Sequence, residues 1–236
     1  MPRAVVCLPT YNERENLERM VRALADRGVD VLVIDDNSPD GTGEIADRLA
    51  SELPWVEVLH RPEKEGLGRA YVDGFRHVLA QGAELVLEMD CDFSHDPADV
   101  PRLIAAVEEG ADLALGSRYV EGGGTENWGL VRRLISRGAS IYTRVLLMPI
   151  HDSTGGFKCF RRRVLESIDL ETIDAAGYVF QIETTYRTLR RGFHVVEVPI
   201  RFADRTAGQS KMSRAIVLEA VWKVPALRLA ALAGRL

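Results

Sequence analysis

The sequence predicts an α/β fold in which a mostly parallel, twisted sheet is covered by helices on both faces. Short apolar runs of four or five residues alternate with segments of helical periodicity through the first half of the chain. Glycine and proline residues separate these segments, and polar or acidic residues follow several of the apolar runs directly. Because parallel strands need a long crossover connection, usually a helix, this alternation favours a parallel sheet.

The first half contains five predicted strands with helices between them. The strands cover residues 4–8, 31–34, 56–59, 85–88 and 113–116. The helices run from Leu17 to Gly28, up to about Ala50, from Gly66 to Leu79 and from Asp96 to Gly110. The last of them begins with an aspartate as N-cap and a proline at the first helical position, which is a frequent helix start.

The second half is less regular. Helices are predicted over residues 130–147 and from about 181 to 191, with a strand candidate at 157–160 and a further strand at 194–200. Pro199 favours an edge position for the last strand, since proline cannot donate to a sheet ladder. The glycine-rich segment 119–130, which contains Trp128, is interpreted as a mobile lid or acceptor loop, with a plain surface linker as the alternative.

The C-terminal segment 212–236 has the pattern of an amphipathic helix, so the expected division is a domain over residues 1–211 followed by this helix. Lys223, Arg228 and Arg235 make it basic, and Pro225 is expected to kink it. Two interpretations stand side by side. The helix either lies on an anionic membrane surface or packs against the domain.

Composition narrows the class of protein. The chain of 236 residues has 46% hydrophobic residues, a net charge of −5 and a pI near 5.6, which argues against a general nucleic-acid binder. Its three cysteines have no close metal-binding spacing, which favours a reducing compartment over a disulfide framework. No apolar run approaches the ~20 residues that span a bilayer, and no signal-peptide pattern is present. We therefore expect a cytoplasmic protein, attached to a membrane at most at its surface.

Acidic residues follow the fourth predicted strand. Asp90 and Asp92 end an apolar run with no basic residue beside them, so they repel each other unless a cation lies between them. Oxygen ligands suit a hard ion such as Mg²⁺ or Mn²⁺. Asp36 and Arg118 follow other strands and should meet this pair at one edge of the sheet. The alternative is an ordinary strand end with acidic loop residues. Neither a dinucleotide fingerprint nor a P-loop is present.

Several motifs together resemble a known family. They are the segments 8–13, 33–42, 89–95, 116–119, 133–139, 181–183, 202–205 and 208–211. In these motifs the chain is similar to the family-2 glycosyltransferases of the GT-A fold, and more narrowly to the dolichol-phosphate (polyprenol-phosphate) mannosyltransferases. The resemblance covers about Val5 to Lys211, and it implies a GT-A catalytic domain over residues 1–211.

The resemblance also implies roles for particular residues. It assigns the nucleoside of the donor to Pro9, Tyr11, Glu13, Ile34 and Asp36. It assigns the divalent metal, Mg²⁺ or Mn²⁺, to Asp90, Asp92 and Ser94, with Cys91 lining the nucleotide through its backbone. Ser94 falls where some relatives carry a glutamine ligand, so its hydroxyl is expected to bind weakly or through water. The donor diphosphate and the acceptor phosphate would meet Arg118, Arg205 and Lys211. The residues expected to act in catalysis are Asp92, Arg118, Arg205 and Lys211.

The activity that the resemblance implies is transfer of mannose from GDP-mannose to a polyprenyl phosphate, with inversion, giving polyprenyl β-D-mannosyl phosphate. An ionised lipid phosphate can attack without a side-chain base, and Glu183 is the side chain that would contradict this if it acted as one. Its alternative role is to bind the donor sugar or a helix end. A UDP-glucose-dependent glucosyltransferase and a non-catalytic nucleotide-sugar-binding subunit are the alternative functions. The tail and segment 119–130 are the expected contacts with the cytoplasmic face of a membrane, unless a membrane-anchored partner supplies them.

Overall fold

In the computed structural model, the described residues are 3–173, 177–204 and 214–234, and they form nine strands and eight α-helices. The strands are β1 (Ala4–Thr10), β2 (Asp30–Asp35), β3 (Val56–His60), β4 (Leu85–Glu88), β5 (Leu113–Ser117), β6 (Gly124–Thr125), β7 (Lys158–Arg161), β8 (Val195–Pro199) and β9 (Arg201–Phe202). The helices are α1 (Leu17–Leu24), α2 (Thr42–Glu52), α3 (Leu67–Ala80), α4 (Val100–Glu108), α5 (Leu130–Leu146), α6 (Arg162–Ser167), α7 (Gly177–Arg190) and α8 (Arg214–Leu232).

Seven of the strands form one sheet in the order β3-β2-β1-β4-β7-β5-β8. Neighbouring strands are parallel, except that β7 runs antiparallel to both β4 and β5. The mostly parallel sheet is confirmed, and so is the strand predicted at residues 157–160. The edge position expected for the last long strand is confirmed as well, with Pro199 opposite Ser117.

Helices cover both faces of this sheet. On β1, Val6 and Leu8 belong to a core with α1, α2 and α4, whereas Val5 and Cys7 belong to a core with α3 and α7. Successive strand residues point to opposite faces, so a strand buried on both sides needs an uninterrupted apolar run. That is the physical reason why these strands could be recognised in the sequence.

The glycine-rich segment is folded onto the body of the protein. Gly124 and Thr125 form β6, which pairs with β9, and the Trp128 ring is buried against Phe202 at a centroid distance of 5.4 Å. A Cβ at Gly123 would lie 2.5 Å from the carbonyl oxygen of Ser117, so only glycine allows this close approach. The plain-linker interpretation therefore does not describe this segment.

The described part of the C-terminal helix packs on the domain and also exposes apolar surface. Val224, Leu227 and Ala231 are buried in a third core with residues of α7, while Trp222 and Leu232 are exposed. Helix α8 continues past Pro225 to Leu232, so the proline does not end the helix. Among the helices of the described ranges, none has the length and hydropathy needed to cross a membrane.

Candidate active site

A cavity of about 330 Å³ opens at the carboxyl ends of β1, β2 and β4. Its described lining comes from several strand ends, from the segments before β7 and α5, and from α7. The carboxyl edge of the strands is where open α/β sheets bind their ligands. The cavity is therefore the candidate active site.

Most of the predicted site residues line this cavity. They are Pro9, Tyr11, Glu13, Asp36, Asp90, Cys91, Asp92 and Arg118. Ile34 and Ser94 are buried next to it and are not among its lining residues. The Ile34 side chain belongs to the core under α3, so a nucleoside would meet only its backbone. Arg205 and Lys211 lie outside the described residues.

One end of the cavity carries an aromatic ring and a buried carboxylate. Lys64 Nζ lies 3.6 Å from the centre of the Tyr11 ring, and Arg61 Nη1 donates to Asp36 Oδ1 at 2.5 Å. Burial raises the pKa of Asp36, while the hydrogen bond and the charge of Arg61 act in the opposite direction. Arg61 also donates to Asp73, and it is itself buried. Asp36 is thus a pre-oriented hydrogen-bond acceptor.

The two aspartates after β4 are held in a tight turn. Asp92 Oδ1 accepts a hydrogen bond from the backbone N–H of Ser94 at 3.0 Å. His95 Nδ1 accepts from the backbone N–H of Asp90 at 3.1 Å, so a neutral ring carries its proton on Nε2. Phe93 has a φ of +61°, a left-handed conformation that lets the chain turn back here. Burial raises the pKa of Cys91, so its thiol stays protonated.

Arg118 is almost completely buried and paired with an acid that the sequence analysis missed. Its Nε donates to Asp152 Oδ2 at 2.7 Å and its Nη2 to Asp152 Oδ1 at 2.5 Å. Nη2 also donates to Thr154 Oγ1 at 2.8 Å. Burial acts to lower the pKa of Arg118, but Asp152 raises it above its ordinary value. Arg118 is therefore a fixed cation whose fork is pre-organised by Asp152.

A second buried ionic pair lies behind Gln181, one of the residues that line the cavity. Glu88 on β4 and Lys158 on β7 are both fully buried, with Oε2 and Nζ 3.9 Å apart. Burial raises the pKa of Glu88 to about 7 and lowers that of Lys158 to about 8, and the opposite charge of each partner reduces both shifts. Lys158 also reaches Gln181, which lines the cavity.

A second cavity of about 240 Å³ adjoins the first and lies between α5 and α8. The two cavities share five lining residues: Arg118, Trp128, Arg132, Thr154 and Tyr178. The rest of the lining is mainly apolar or small. Arg132 donates to Asp204 at 2.6 Å, and its guanidinium carbon lies 4.0 Å from the centre of the Trp128 ring. Cationic groups therefore stand where the more polar cavity meets the more apolar one.

Helix α5 has its polarity reversed relative to an ordinary amphipathic helix. Ser136, Ser140 and Thr143 are buried, while apolar side chains face outwards. The exposed apolar side chains on α5 are Leu130, Val131, Leu134, Ile135, Ile141 and Val145. Arg133, Arg137 and Arg144 are exposed on the same helix. This apolar and basic surface continues onto α8 through Val221, Trp222, Leu229 and Leu232.

Glu183 is engaged within its own helix. Its Oε1 accepts from Nε of Arg187 at 2.9 Å and from Nη2 at 2.5 Å, and both side chains are buried. Glu183 is not among the residues that line the cavity. This position argues against a role for Glu183 as a base.

The fold and the site define the class of the protein. A mostly parallel sheet with an Asp-x-Asp turn at the mouth of a ligand-sized cavity is the GT-A architecture of nucleotide-sugar-dependent glycosyltransferases. Comparison with known proteins agrees. The model of glycosyl transferase family 2 matches residues 5–169, and the chain belongs to this family. The protein is a glycosyltransferase.

Two relatives and one solved structure illustrate the similarity. The chain is 51% identical over 226 residues to the polyprenol monophosphomannose synthase of Mycolicibacterium smegmatis, covering 94% of this chain and 85% of that protein. It is 48% identical over 232 residues to the undecaprenyl-phosphate mannosyltransferase of Micrococcus luteus, covering 97% and 95%. The fold is similar to that of mannosyltransferase PcManGT from Pyrobaculum calidifontis, solved with GDP-Man and Mn²⁺. In that case the TM-score is 0.59 at 18% identity, with coverage of 99% and 74%.

Proposed function

We propose that the protein transfers mannose from GDP-mannose to a polyprenyl phosphate, with inversion, to give polyprenyl β-D-mannosyl phosphate. The observation that carries this proposal is the pair of adjoining cavities. The first is the more polar of the two and carries three aspartates, the second is mainly apolar, and Arg118 and Arg132 stand at their junction. The names of the two close relatives, a polyprenol monophosphomannose synthase and an undecaprenyl-phosphate mannosyltransferase, support the same donor sugar and acceptor class.

The donor occupies the first cavity. The nucleoside lies at the Tyr11 end, where the ring can stack on a base and Asp36 can accept a hydrogen bond. The diphosphate then extends towards Asp90 and Asp92. This order follows the strand order, because β2, β1 and β4 are successive neighbours in the sheet.

A divalent metal ion fits the donor set of the Asp-x-Asp turn. Within the described ranges, no three His, Cys, Asp or Glu side chains come together as a complete metal cluster. Mg²⁺ is commonly bound by one or two carboxylates together with substrate phosphates, which is what Asp90 and Asp92 offer. The buried hydroxyl of Ser94 has no hydrogen-bond partner within the part of the chain that the structure describes, and it is a further oxygen nearby. A bound ion would stabilise the negative charge of the departing diphosphate.

The acceptor occupies the second cavity. Its prenyl chain lies between α5 and α8, and its phosphate reaches the junction held by Arg118 and Arg132. Arginine suits this place because its planar fork binds phosphate oxygens in pairs. Arg205 and Lys211 remain predicted phosphate contacts.

The chemistry needs no side-chain base. A phosphate monoester is largely ionised at neutral pH, so its oxygen can attack the anomeric carbon directly. The acids among the described lining residues are Glu13, Asp36, Asp90 and Asp92, all at the strand ends assigned to the nucleotide. Glu183 pairs with Arg187 instead. A single displacement inverts the anomeric configuration.

The surface formed by α5 and α8 is the proposed contact with the cytoplasmic face of a membrane. An exposed apolar face with arginines among it suits the interface of an anionic bilayer. The sequence predicts this contact at the tail and at segment 119–130. The exposed apolar face of α5 extends the proposed contact to a helix outside those two segments.

The test is a donor panel with a short polyprenyl phosphate, in the presence of Mg²⁺ or Mn²⁺. We expect turnover with GDP-mannose and a β-linked product by NMR. Turnover with UDP-glucose and none with GDP-mannose would show that the proposed donor is wrong. Nucleotide-sugar binding without transfer to any acceptor would favour a non-catalytic subunit.

The metal assignment is tested in the same assay. Asp92→Ala should abolish transfer even at saturating Mn²⁺, because the metal ion that would stabilise the diphosphate loses one of its protein ligands. The exposed Asp26 supplies the matched control, and Asp26→Ala should leave the rate unchanged. Full activity of the Asp92 variant would overturn the assignment.

A further inference from the structure

The side-chain amide of Gln181 has a fixed orientation. Lys158 Nζ donates to Gln181 Oε1 at 2.5 Å, to the Gln181 main-chain oxygen at 2.9 Å and to Thr184 Oγ1 at 2.9 Å. An ammonium group has three donors and no acceptor, so the amide atom that it meets must be the oxygen. The amide nitrogen is therefore turned away from Lys158.

That nitrogen is buried and unsatisfied at the wall of the first cavity. Gln181 is only 3% exposed, and its Nε2 has no hydrogen-bond partner among the described residues. A Cβ at Gly156 would come within 3.3 Å of Nε2, so the glycine keeps the approach to the nitrogen open. Both residues line the cavity. Buried donors are normally paired, so an unpaired one in a cavity wall points to a ligand.

The buried carboxylate of Glu88 is the internal competitor for this nitrogen. Neither of its oxygens has a partner at hydrogen-bond distance among the residues of the described ranges, and the Gln181 amide helps to lower the pKa of Glu88. A carboxamide nitrogen carries two N–H groups. One can face Glu88 while the other faces the cavity.

The position of Gln181 in the sheet indicates which part of the donor lies next to it. The nucleoside is assigned to the ends of β2 and β1 and the diphosphate to the end of β4, and the next strand in the sheet is β7. Because β7 is antiparallel, its first residue, Lys158, lies opposite Glu88 at the carboxyl end of β4. A nucleotide sugar that follows this edge brings its hexose to the wall where Gln181 stands. A neutral amide donor suits a sugar hydroxyl, whereas a diphosphate calls for cations.

We propose that Gln181 Nε2 donates a hydrogen bond to a hydroxyl group of the transferred sugar, and that Lys158 is the positioning residue that holds the amide in register. This inference rests on the proposed function and names the part of the chain that reads the sugar. It also explains why Lys158 is buried on a central strand, although burying a charged side chain costs free energy.

The experiment is calorimetric titration of the full chain with GDP and with GDP-mannose, with Mn²⁺ present and no acceptor. Gln181→Leu should leave the affinity for GDP within about twofold and weaken GDP-mannose about five- to tenfold, the range expected for one hydrogen bond. Gln181→Glu keeps an acceptor for Lys158 but has no donor, and it should show the same selective loss. Gln81→Leu, at an exposed glutamine at the end of α3, should change neither affinity.

Deoxy analogues of the donor identify the hydroxyl. The four GDP-mannose analogues that lack the 2-, 3-, 4- or 6-hydroxyl are titrated against wild type and Gln181→Leu. For one analogue the two proteins should bind equally, because the partner of Nε2 is already missing. If Gln181→Leu and Gln181→Glu keep the full preference for GDP-mannose over GDP, the inference is overturned and Nε2 serves Glu88.

The two proposals fail in distinguishable ways. If wild type prefers a different nucleotide sugar to its parent nucleotide, the proposed donor is wrong, and the same comparison with that sugar then decides the role of Gln181. If wild type prefers GDP-mannose to GDP and the Gln181 variants show the same preference, the proposed donor is retained and the proposed role of Gln181 is wrong.

Discussion

Replacing Asp152 by asparagine should destabilise the protein strongly, because it leaves Arg118 buried with an uncompensated charge. Asp152 is fully buried, and it accepts hydrogen bonds from the backbone N–H of Arg118 at 2.8 Å and from two guanidinium nitrogens at 2.5–2.7 Å. An asparagine of the same shape keeps one oxygen and turns an NH₂ group towards a guanidinium that can only donate. The bidentate arrangement is therefore lost together with the charge.

The magnitude follows from burial. Removing one partner of a buried ion pair costs about 3–5 kcal/mol, whereas an exposed pair contributes about 0–1 kcal/mol. A domain of this size loses about 2–4 °C in Tm for each kcal/mol. The expected decrease for Asp152→Asn is thus about 6–20 °C, measured by circular dichroism at pH 7. Against a total stability of about 5–15 kcal/mol, this is a large fraction.

An exposed pair supplies the control. Arg162 and Glu166 are paired one helical turn apart at 2.7 Å, with half-exposed side chains, so Glu166→Gln should lower the Tm by no more than about 4 °C. The double variant Asp152→Asn with Arg118→Met removes both charges. Its loss of stability should be smaller than the sum of the losses in the two single variants. If Asp152→Asn melts no lower than Glu166→Gln, the account of Arg118 as a cation dependent on its buried partner is wrong.

Two further predictions concern the core and the exposed surface. A Cβ at Gly74 on α3 would lie 2.3 Å from Ile34 Cδ1, so Gly74→Ala should cost about 1–3 kcal/mol by overpacking, and Ile34→Val in the same chain should recover part of that loss in urea unfolding. Leu134→Ser combined with Val145→Ser on the exposed face of α5 should weaken binding to anionic vesicles at least about tenfold in flotation assays without lowering the Tm, since these side chains are exposed in the free protein. Unchanged vesicle binding would show that this face is not the membrane contact.

The strand ends that build the site could be predicted because their signals are local. Each is a short apolar run followed by polar residues, and such runs reveal doubly buried strands whatever lies elsewhere in the chain. The positions of Asp36, Asp90 and Asp92 at one edge follow from parallel pairing. The antiparallel direction of β7 could not be predicted, because a four-residue strand has the same pattern in either direction.

The partners that fix the site residues escaped prediction because they are distant in sequence. Asp152 lies 34 residues from Arg118, and Arg61 lies 25 residues from Asp36. Each is a single charged residue in a loop, with no periodicity to mark it. The sequence predicts Lys158 only as part of a strand, because no pattern in it indicates that the ammonium group is buried against Glu88 and Gln181.

Helix α5 was predicted correctly as a helix, but its sequence pattern does not show which of its sides is buried. Its apolar residues recur at helical spacing, and in a water-soluble domain such a stripe faces the core. Here the buried stripe is polar, because Tyr119 donates to Ser136 at 2.7 Å and the hydroxyls of Thr143 and Ser153 meet at 2.5 Å. These bonds join α5 to the loops that carry Arg118 and Asp152. The buried polar side of the helix therefore packs against the candidate site. A membrane that contacts the apolar face of α5 would therefore contact a helix that is hydrogen-bonded to the loops of Arg118 and Asp152. This is the arrangement expected if the proposed acceptor arrives from a lipid phase.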